Sequence, residues 1–471
     1  MLSKPHQAFI SRLMRLKQPP WILLCDVAPI PVVDDANLTT IADGFASPSV
    51  VASGSATPTP AEAAELAKKA AQKQRSVKDE AAHLIYIRYL QRHQPYRSTI
   101  ERFGAGYQDY LQAPLQPLTD NLESVTYEVF EKDPVKYDWY ERAIALALKD
   151  WVQQDKPVSS ANGQAVVLAV VGPGRGPLVT RALRASAATG VPLEVWAVEK
   201  NPNAHVVLQR HNQTTWNGVV NIVKSDMRAW KGPYRVSPPQ QEGQLPQMAY
   251  GKVDILVSEL LGSFADNELS PECLDGVQHV LAPSHGISIP ASYTAHLTPL
   301  AAPRLHADIS HRASGGIDPL AADTPYVVML HQIDYLASTS SPSHPRFQQA
   351  WEFVHPLPAS VLAVAEARRA GGVSGGGGGS MAGGDGANEH NARFSRSKFV
   401  VRDRGVVHGI GGYFEAVLYD GGSKEKVVEL STRPDTIDEK SKDMISWFPI
   451  YFPLKVCLCS VRSGVKGCAD E

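Results

Sequence analysis

Seven consecutive apolar residues, Ala165–Val171, run directly into Gly172-Pro173-Gly174-Arg175-Gly176-Pro177. A run this apolar, with no alternation, is what a parallel strand covered on both faces requires. Strand–helix alternation continues from it. Leu178–Ala188 has helical character, Leu193–Val198 reads as a strand, Ala204–Asn212 as a helix, and Val219–Val223 and Val253–Val257 as strands. Successive units of this kind leave few topologies open, and the spacing predicts an open, doubly wound α/β sheet between about 150 and 290.

The rest of the chain is organised around that block. Upstream, Tyr137–Val152 is predicted helical, as are Ala61–Gln74 and Asp79–Arg92, while Pro114 and Pro117 keep Tyr107–Leu122 extended or only partly helical. Past 290, β-prone segments (Tyr326–Leu330, Lys398–Val401, Gly412–Leu418, Val427–Leu430 and Trp447–Phe452) predict an all-β, barrel-like domain. It is interrupted at 360–396 by a tract containing Gly375–Gly379, expected to be a flexible insertion. The expected domains are 81–290 for the α/β unit with its preceding helices and 291–455 for the β unit. Residues 36–80 are read as a linker.

Composition excludes several function classes. A net charge of -2 argues against a general nucleic-acid binder. No apolar run approaches the roughly 20 residues that span a bilayer. The five cysteines show no paired zinc-ligand spacing, so no metal is expected and a reducing compartment is. Met1–Pro20 is basic and amphipathic, which fits a transit peptide or, preferred here, a surface helix followed by the strand Trp21–Leu24.

Three features carry chemistry. A glycine-rich turn between a strand and a helix lets backbone approach a ligand closely. Here the spacing is GxGxG (Gly172, Gly174, Gly176), and the third glycine of a dinucleotide fingerprint falls on Pro177, so a ligand without phosphates, such as S-adenosylmethionine, fits better than NAD. Glu199 ends the second strand, where a carboxylate can accept both ribose hydroxyls; Asp226 and Met227 follow the third strand, where an adenine would lie. On its own Asp226 is also readable as a loop cap. The third feature is Ser258–Glu272, in which Glu259 and Glu268 bracket a turn-rich loop at the carboxyl edge of the sheet. Two carboxylates facing one pocket repel unless a cation or a proton sits between them. A guanidinium is planar, always charged and matched to paired carboxylates. A glycosidase pair or a solvated acidic loop are the rival readings; Leu260, Leu261, Phe264 and Leu269 argue against the second.

On these residues the chain resembles the type II (symmetric) protein arginine methyltransferase family. VGPGRGPLV at 171–179, AVEKNPNA at 197–204, SDMR at 225–228 and SELLGSFADNELSPECLDG at 258–276 are similar to its motifs, as are TYEVFEKDPVKY at 126–137, GYFEAVLY at 412–419 and SWFP at 446–449. The resemblance implies S-adenosylmethionine as cofactor, with Tyr127, Lys136, Tyr137, Gly172, Glu199 and Met227 lining its pocket and Asp226 reading adenine. It implies that Glu259 and Glu268 clamp the substrate guanidinium, that Phe130 shapes the pocket for symmetric product, and that Trp447 and Phe448 wall the arginine. The expected reaction gives monomethyl and symmetric dimethylarginine in histones and Arg/Gly-rich RNA-processing proteins, in cytoplasm and nucleus, from a homodimer. Residues 1–35 resemble the last helix and strand of the family's TIM barrel, through which a WD-repeat partner docks, so that partner is not expected of this chain. Similarity is expected to stop near Lys455, leaving 456–471 as a divergent tail with unpaired strand edges. Three rival functions are a cofactor-binding homologue acting by protein interaction without turnover, a small-molecule methyltransferase and an NAD oxidoreductase.

Overall fold

A computed structural model describes residues 3–14, 85–94, 99–237, 247–339, 342–358, 360, 393–401, 404–461 and 464–467. The chain forms two compact units, Met1–Arg97 and Ser98–Glu471. In the first, helix α1 (Lys4–Leu13) has Pro5 in its first turn, carries Arg12 in its last turn and buries Ile10. A second helix, α2, covers 85–92. Gln94 Nε2 meets Met14 Sδ at 3.6 Å. The expected helix Ala61–Gln74, the strand Trp21–Leu24 and the linker lie outside the described residues.

The second unit opens with three helices: α3 (Thr99–Phe103), α4 (Ser124–Phe130) and α5 (Lys136–Gln153). Tyr140, Ile144, Leu148 and Trp151 recur every three or four residues along α5 and are almost fully buried, the stripe an amphipathic core helix needs. Next come β1 (Val166–Val171), α6 (Pro177–Thr189), β2 (Leu193–Glu199), α7 (Pro202–Thr214) and β3 (Val220–Lys224). A hairpin of β4 (Tyr234–Ser237) and β5 (Gln247–Tyr250), not foreseen in the sequence, precedes β6 (Ile255–Ser258), α8 (Ser270–Val277) and β7 (Ile287–Ile289). The sheet order β3-β2-β1-β6-β7 is parallel throughout. All six residues of β1 are buried, as its apolar run predicts. Chain order reverses across β1, which places the switch point, and hence the ligand crevice, at the carboxyl ends of β1, β2 and β6.

The carboxyl-terminal half is an eight-stranded antiparallel sheet. It comprises β8 (Ser292–Ala301), β9 (Tyr326–Val327), β10 (Asp334–Tyr335), β11 (Gln348–Val354), β12 (Gly405–Asp420), β13 (Val427–Ser431), β14 (Ile450–Val461) and β15 (Gly464–Gly467). Its pairings form an open path among the described residues, so the expected barrel is present as a sheet. At its centre, β12 pairs with β8 along Gly409–Val417 and with β14 and β13 on its other edge. One core joins this sheet to the parallel one, with Phe414 and Ile450 in the same cluster as Val167 and Leu256.

Four expectations are corrected. The region is not all β, since α9 (Pro303–Ser314) packs Leu305 and Ile309 inward. Lys398–Val401 makes a single bridge, Ala337 to Val401, rather than a strand. The strand expected to begin at Trp447 begins at Ile450, leaving Trp447 and Phe448 on the loop before it. At the tail, β14 runs past Lys455 and its Leu458–Val461 edge is paired with β15, so that edge is covered.

Candidate active site

The crevice is a cavity of about 800 Å³. Its floor is the turn after β1, where Gly172 and Gly174 take φ of +68° and +55°, a region that L side chains reach only at a cost. A Cβ on Gly174 would lie 2.7 Å from the Tyr127 ring, so the turn and α4 approach as closely as a bare backbone allows. Gly176 does not line the cavity. Its φ is +97° and a Cβ there would strike Trp216 at 2.5 Å, so it serves close packing of the turn, a correction to its expected ligand role.

Glu199, at the end of β2, is buried and accepts from Gly174 N at 2.9 Å and Asn201 N at 2.7 Å. Burial raises its carboxyl above the usual range although these amides oppose the shift. Asp226 and Met227 line the same cavity. Asp226 caps a short turn through Arg228 N and takes the Arg228 guanidinium at 2.7 and 3.0 Å. That is the loop-cap reading, and a carboxylate with about four lone-pair sites can cap and still face a ligand. The Arg228 hydrogen bonds, first among the causes, hold the Asp226 carboxyl below its ordinary value.

The far side carries the two acids. Glu259 follows β6 and receives Lys136 Nζ at 2.9 Å. Lys136 is 1% exposed, and its ammonium stands 4.8–5.2 Å from the centres of the Phe130, Tyr137 and Trp447 rings. Burial alone would depress this amine; Glu259, helped by Tyr137 and Asp133, overcomes that and raises it. Glu268 lies on the loop between β6 and α8 and also faces the cavity. It has no ion pair among the described residues. Burial, reinforced by the Glu259 charge, pushes its carboxyl well above the usual range. One acid is thus paired with a resident lysine, and the other is held toward its neutral form by burial and its neighbour's charge, a form that a cation arriving beside it would reverse.

The aromatic residues complete the enclosure. Trp447 donates Nε1–H to Leu261 O at 2.7 Å and meets Phe414 edge-on at 5.0 Å. Phe448 reaches Phe103 and Tyr107, with ring centres at 6.4 and 6.5 Å. Helix α4 buries no residue and closes the cavity through Tyr127 and Phe130. It is fastened by Arg175, which pairs with Glu131 at 3.2 Å and donates to Ser124 O at 3.2 Å. Of the site residues read from the sequence, only Gly176 falls outside the cavity.

Three residues that hold the site were not singled out in the sequence. Asp133 accepts from Val135 N, Lys136 N, Ile445 N, Ser446 N and Ser446 Oγ at 2.6–2.9 Å. It joins the α4–α5 turn to the loop bearing Trp447. Tyr140 donates to Ser258 O at 2.8 Å and fixes the root of the acidic loop. Asn201 donates to Leu122 O at 3.0 Å and Tyr127 Oη at 3.3 Å, drawing the segment before α4 over the glycine turn. Only Asn201 carried a signal, as an N-cap beside the ribose acid.

A family model described as PRMT5 arginine-N-methyltransferase matches residues 98–289, and one described as PRMT5 oligomerisation domain matches 292–464. The second match extends past Lys455, where the resemblance was expected to stop. Protein arginine N-methyltransferase skb1 of Schizosaccharomyces pombe is 42% identical over 377 residues, 80% of this chain and 51% of its own. Protein arginine N-methyltransferase 5 of Oryza sativa subsp. indica is 43% identical over 378 residues, 79% and 47% of the two. That of Xenopus laevis is 40% identical over 381 residues, 81% and 50%. The chain spans about half the length of the curated relatives it matches.

Proposed function

The chain belongs to the PRMT5 arginine-N-methyltransferase family, and on that premise we propose that it transfers methyl groups from S-adenosylmethionine to arginine guanidino nitrogens of proteins. The observation that carries the proposal is the single cavity holding the glycine turn and Glu199 on one wall and Glu259 and Glu268 on the other. The residues present fit the cofactor. The bare turn at Gly172 and Gly174 admits it, Glu199 is placed for ribose hydroxyls, and Met227 gives a thioether wall. Bound there, S-adenosylmethionine supplies an electrophilic methyl group on a sulfonium.

The chain's own residues do the rest. A guanidinium nitrogen is a poor nucleophile because its lone pair is delocalised, so catalysis must come from placement and electrostatics. Glu259 and Glu268 hold the guanidinium, and Trp447 and Phe130 wall it from water. Gly172, Gly174, Glu199 and Met227 would hold the methyl donor, which would give its methyl group to a guanidinium nitrogen and keep the C–S bonding pair. The nitrogen then sheds a proton. Glu268, ionised beside the guanidinium and with its proton affinity raised by burial and the Glu259 charge, is the suited acceptor. Phe130, by resemblance, disposes the pocket to symmetric dimethylarginine. Substrates are proposed to be Arg/Gly-rich proteins, histones among them, in cytoplasm and nucleus. The match to an oligomerisation model supports self-association. Cofactor binding without turnover has no observation in its favour.

Labelled cofactor and an Arg-Gly peptide test the proposal on the 471-residue chain. Transfer is expected, and Glu268→Gln should cut kcat by about a hundredfold or more while cofactor affinity by calorimetry is kept. No incorporation by folded protein, or full activity in Glu268→Gln, overturns it.

A further inference from the structure

Asp266 sits two residues before Glu268 and is 5% exposed. Its carbonyl accepts from Leu269 N at 2.9 Å, so Glu268 lies inside the turn that Asp266 begins. The turn is not a relaxed one. Ala265 and Leu269 on either side take φ of +65° and +64°, conformations that non-glycine residues keep only when surroundings impose them. A buried carboxylate inside such a loop needs partners. Among the described side chains, Trp351 supplies Nε1–H at 3.0 Å from β11, and Arg393 supplies its Nε. Arg393 also donates Nη2 to Glu272 Oε1 at 2.9 Å, in the first turn of α8, and its guanidinium stands 5.2 Å from the Phe353 ring centre.

Arg393 therefore grips the acidic loop on both sides of Glu268, and it does so from outside the cavity, which it does not line. Burial pushes the Asp266 carboxyl up, with Trp351 and Arg393 opposing that shift. Without the guanidinium, Asp266 would keep the Trp351 indole N–H while losing its charged partner, and Glu272 would lose the Arg393 donor. The loop would then have to rearrange or take up a proton, and Glu268 would move with it.

Resting on the reading of this cavity as a methyltransferase site, we propose that Arg393 is a positioning residue for Glu268, acting through Asp266 and Glu272. It sets the loop geometry on which guanidinium placement depends, without touching substrate or cofactor.

The test is kinetic and structural on the same chain. Arg393→Met should lower kcat for Arg-Gly peptide methylation by between about tenfold and a hundredfold, the scale expected for small misplacement of a reacting group. Cofactor affinity by calorimetry should stay within about twofold, because the glycine turn and Glu199 are unaffected. Arg393→Lys, which keeps a charge but not the fork, should fall between. Combined with Asp266→Asn, Arg393→Met should cost less than the product of the single losses, since both act on one contact. Amide hydrogen exchange at 262–270 should quicken in Arg393→Met. Unchanged kcat in Arg393→Met, or losses that multiply fully, overturns the proposal. Should Arg393→Met lose its cooperative melt, Arg393→Lys and Arg393→Gln carry the comparison, and wild-type kcat in both overturns it. If the wild-type chain transfers no methyl group, the proposed function fails, and exchange alone then decides the link. Unchanged exchange at 262–270 would sink it.

Discussion

Lys136 and Glu268 divide the electrostatic work of the cavity between them. The ammonium of Lys136 is caged by three rings and bonded to Glu259, so it keeps its charge in spite of burial. Glu268 is left with the Glu259 charge nearby and no ion pair among the described residues. A carboxyl raised in the folded state is stabilised as the acid. Its contribution to stability is therefore whole below the pKa of the unfolded chain and is lost as pH rises through the raised value. At neutral pH Glu268 thus burdens the unliganded fold. Glu268→Gln keeps the shape and removes the charge, so its melting temperature at pH 7–8 should exceed that of the wild type by a few degrees. The gap should close as the pH approaches about 4, where the unfolded carboxyl itself protonates. Thermal melts across that range check this. A Glu268→Gln chain that melts below the wild type at neutral pH contradicts the account.

At the level of elements, the site is assembled where three loops meet and is held by buried polar ties rather than by apolar packing alone. Asp133 is the plainest case, a 6% exposed carboxylate serving five donors on two segments. Asp133→Ala would leave those donors unpaired and should cost about 3 kcal/mol in denaturant unfolding; a loss under about 1 kcal/mol would show the tie to be dispensable. Such ties also mark where sequence reading ends. The six-residue β1, the ribose acid closing β2 and the acidic loop after β6 were legible because each declares itself within a few residues, by an apolar run, a glycine spacing or a pair of acids. Asp133 meets Ile445 312 positions away, and no local pattern announces that. Helix α9 was missed for a different reason. Its two buried residues, Leu305 and Ile309, are too few to write a helical period against the β-prone sequence around them.

The second unit is one body built on a shared core. The parallel sheet presents the cofactor turn, the antiparallel sheet delivers Trp447 and Phe448 from the loop before β14, and a common core couples them. Neither half holds the cavity without the other, which is why the fold class could be read from βα alternation while the site needed both halves in place. Arg393, stacked beside Phe353 of β11, belongs to the same logic, since it grips the acidic loop of one half from the chain of the other. Arginine methylation by this body, as proposed, is read from its product. An Arg-Gly peptide incubated with the chain and S-adenosylmethionine, then hydrolysed to amino acids, should yield monomethylarginine and symmetric dimethylarginine. Unmodified arginine alone, or asymmetric dimethylarginine, would contradict it.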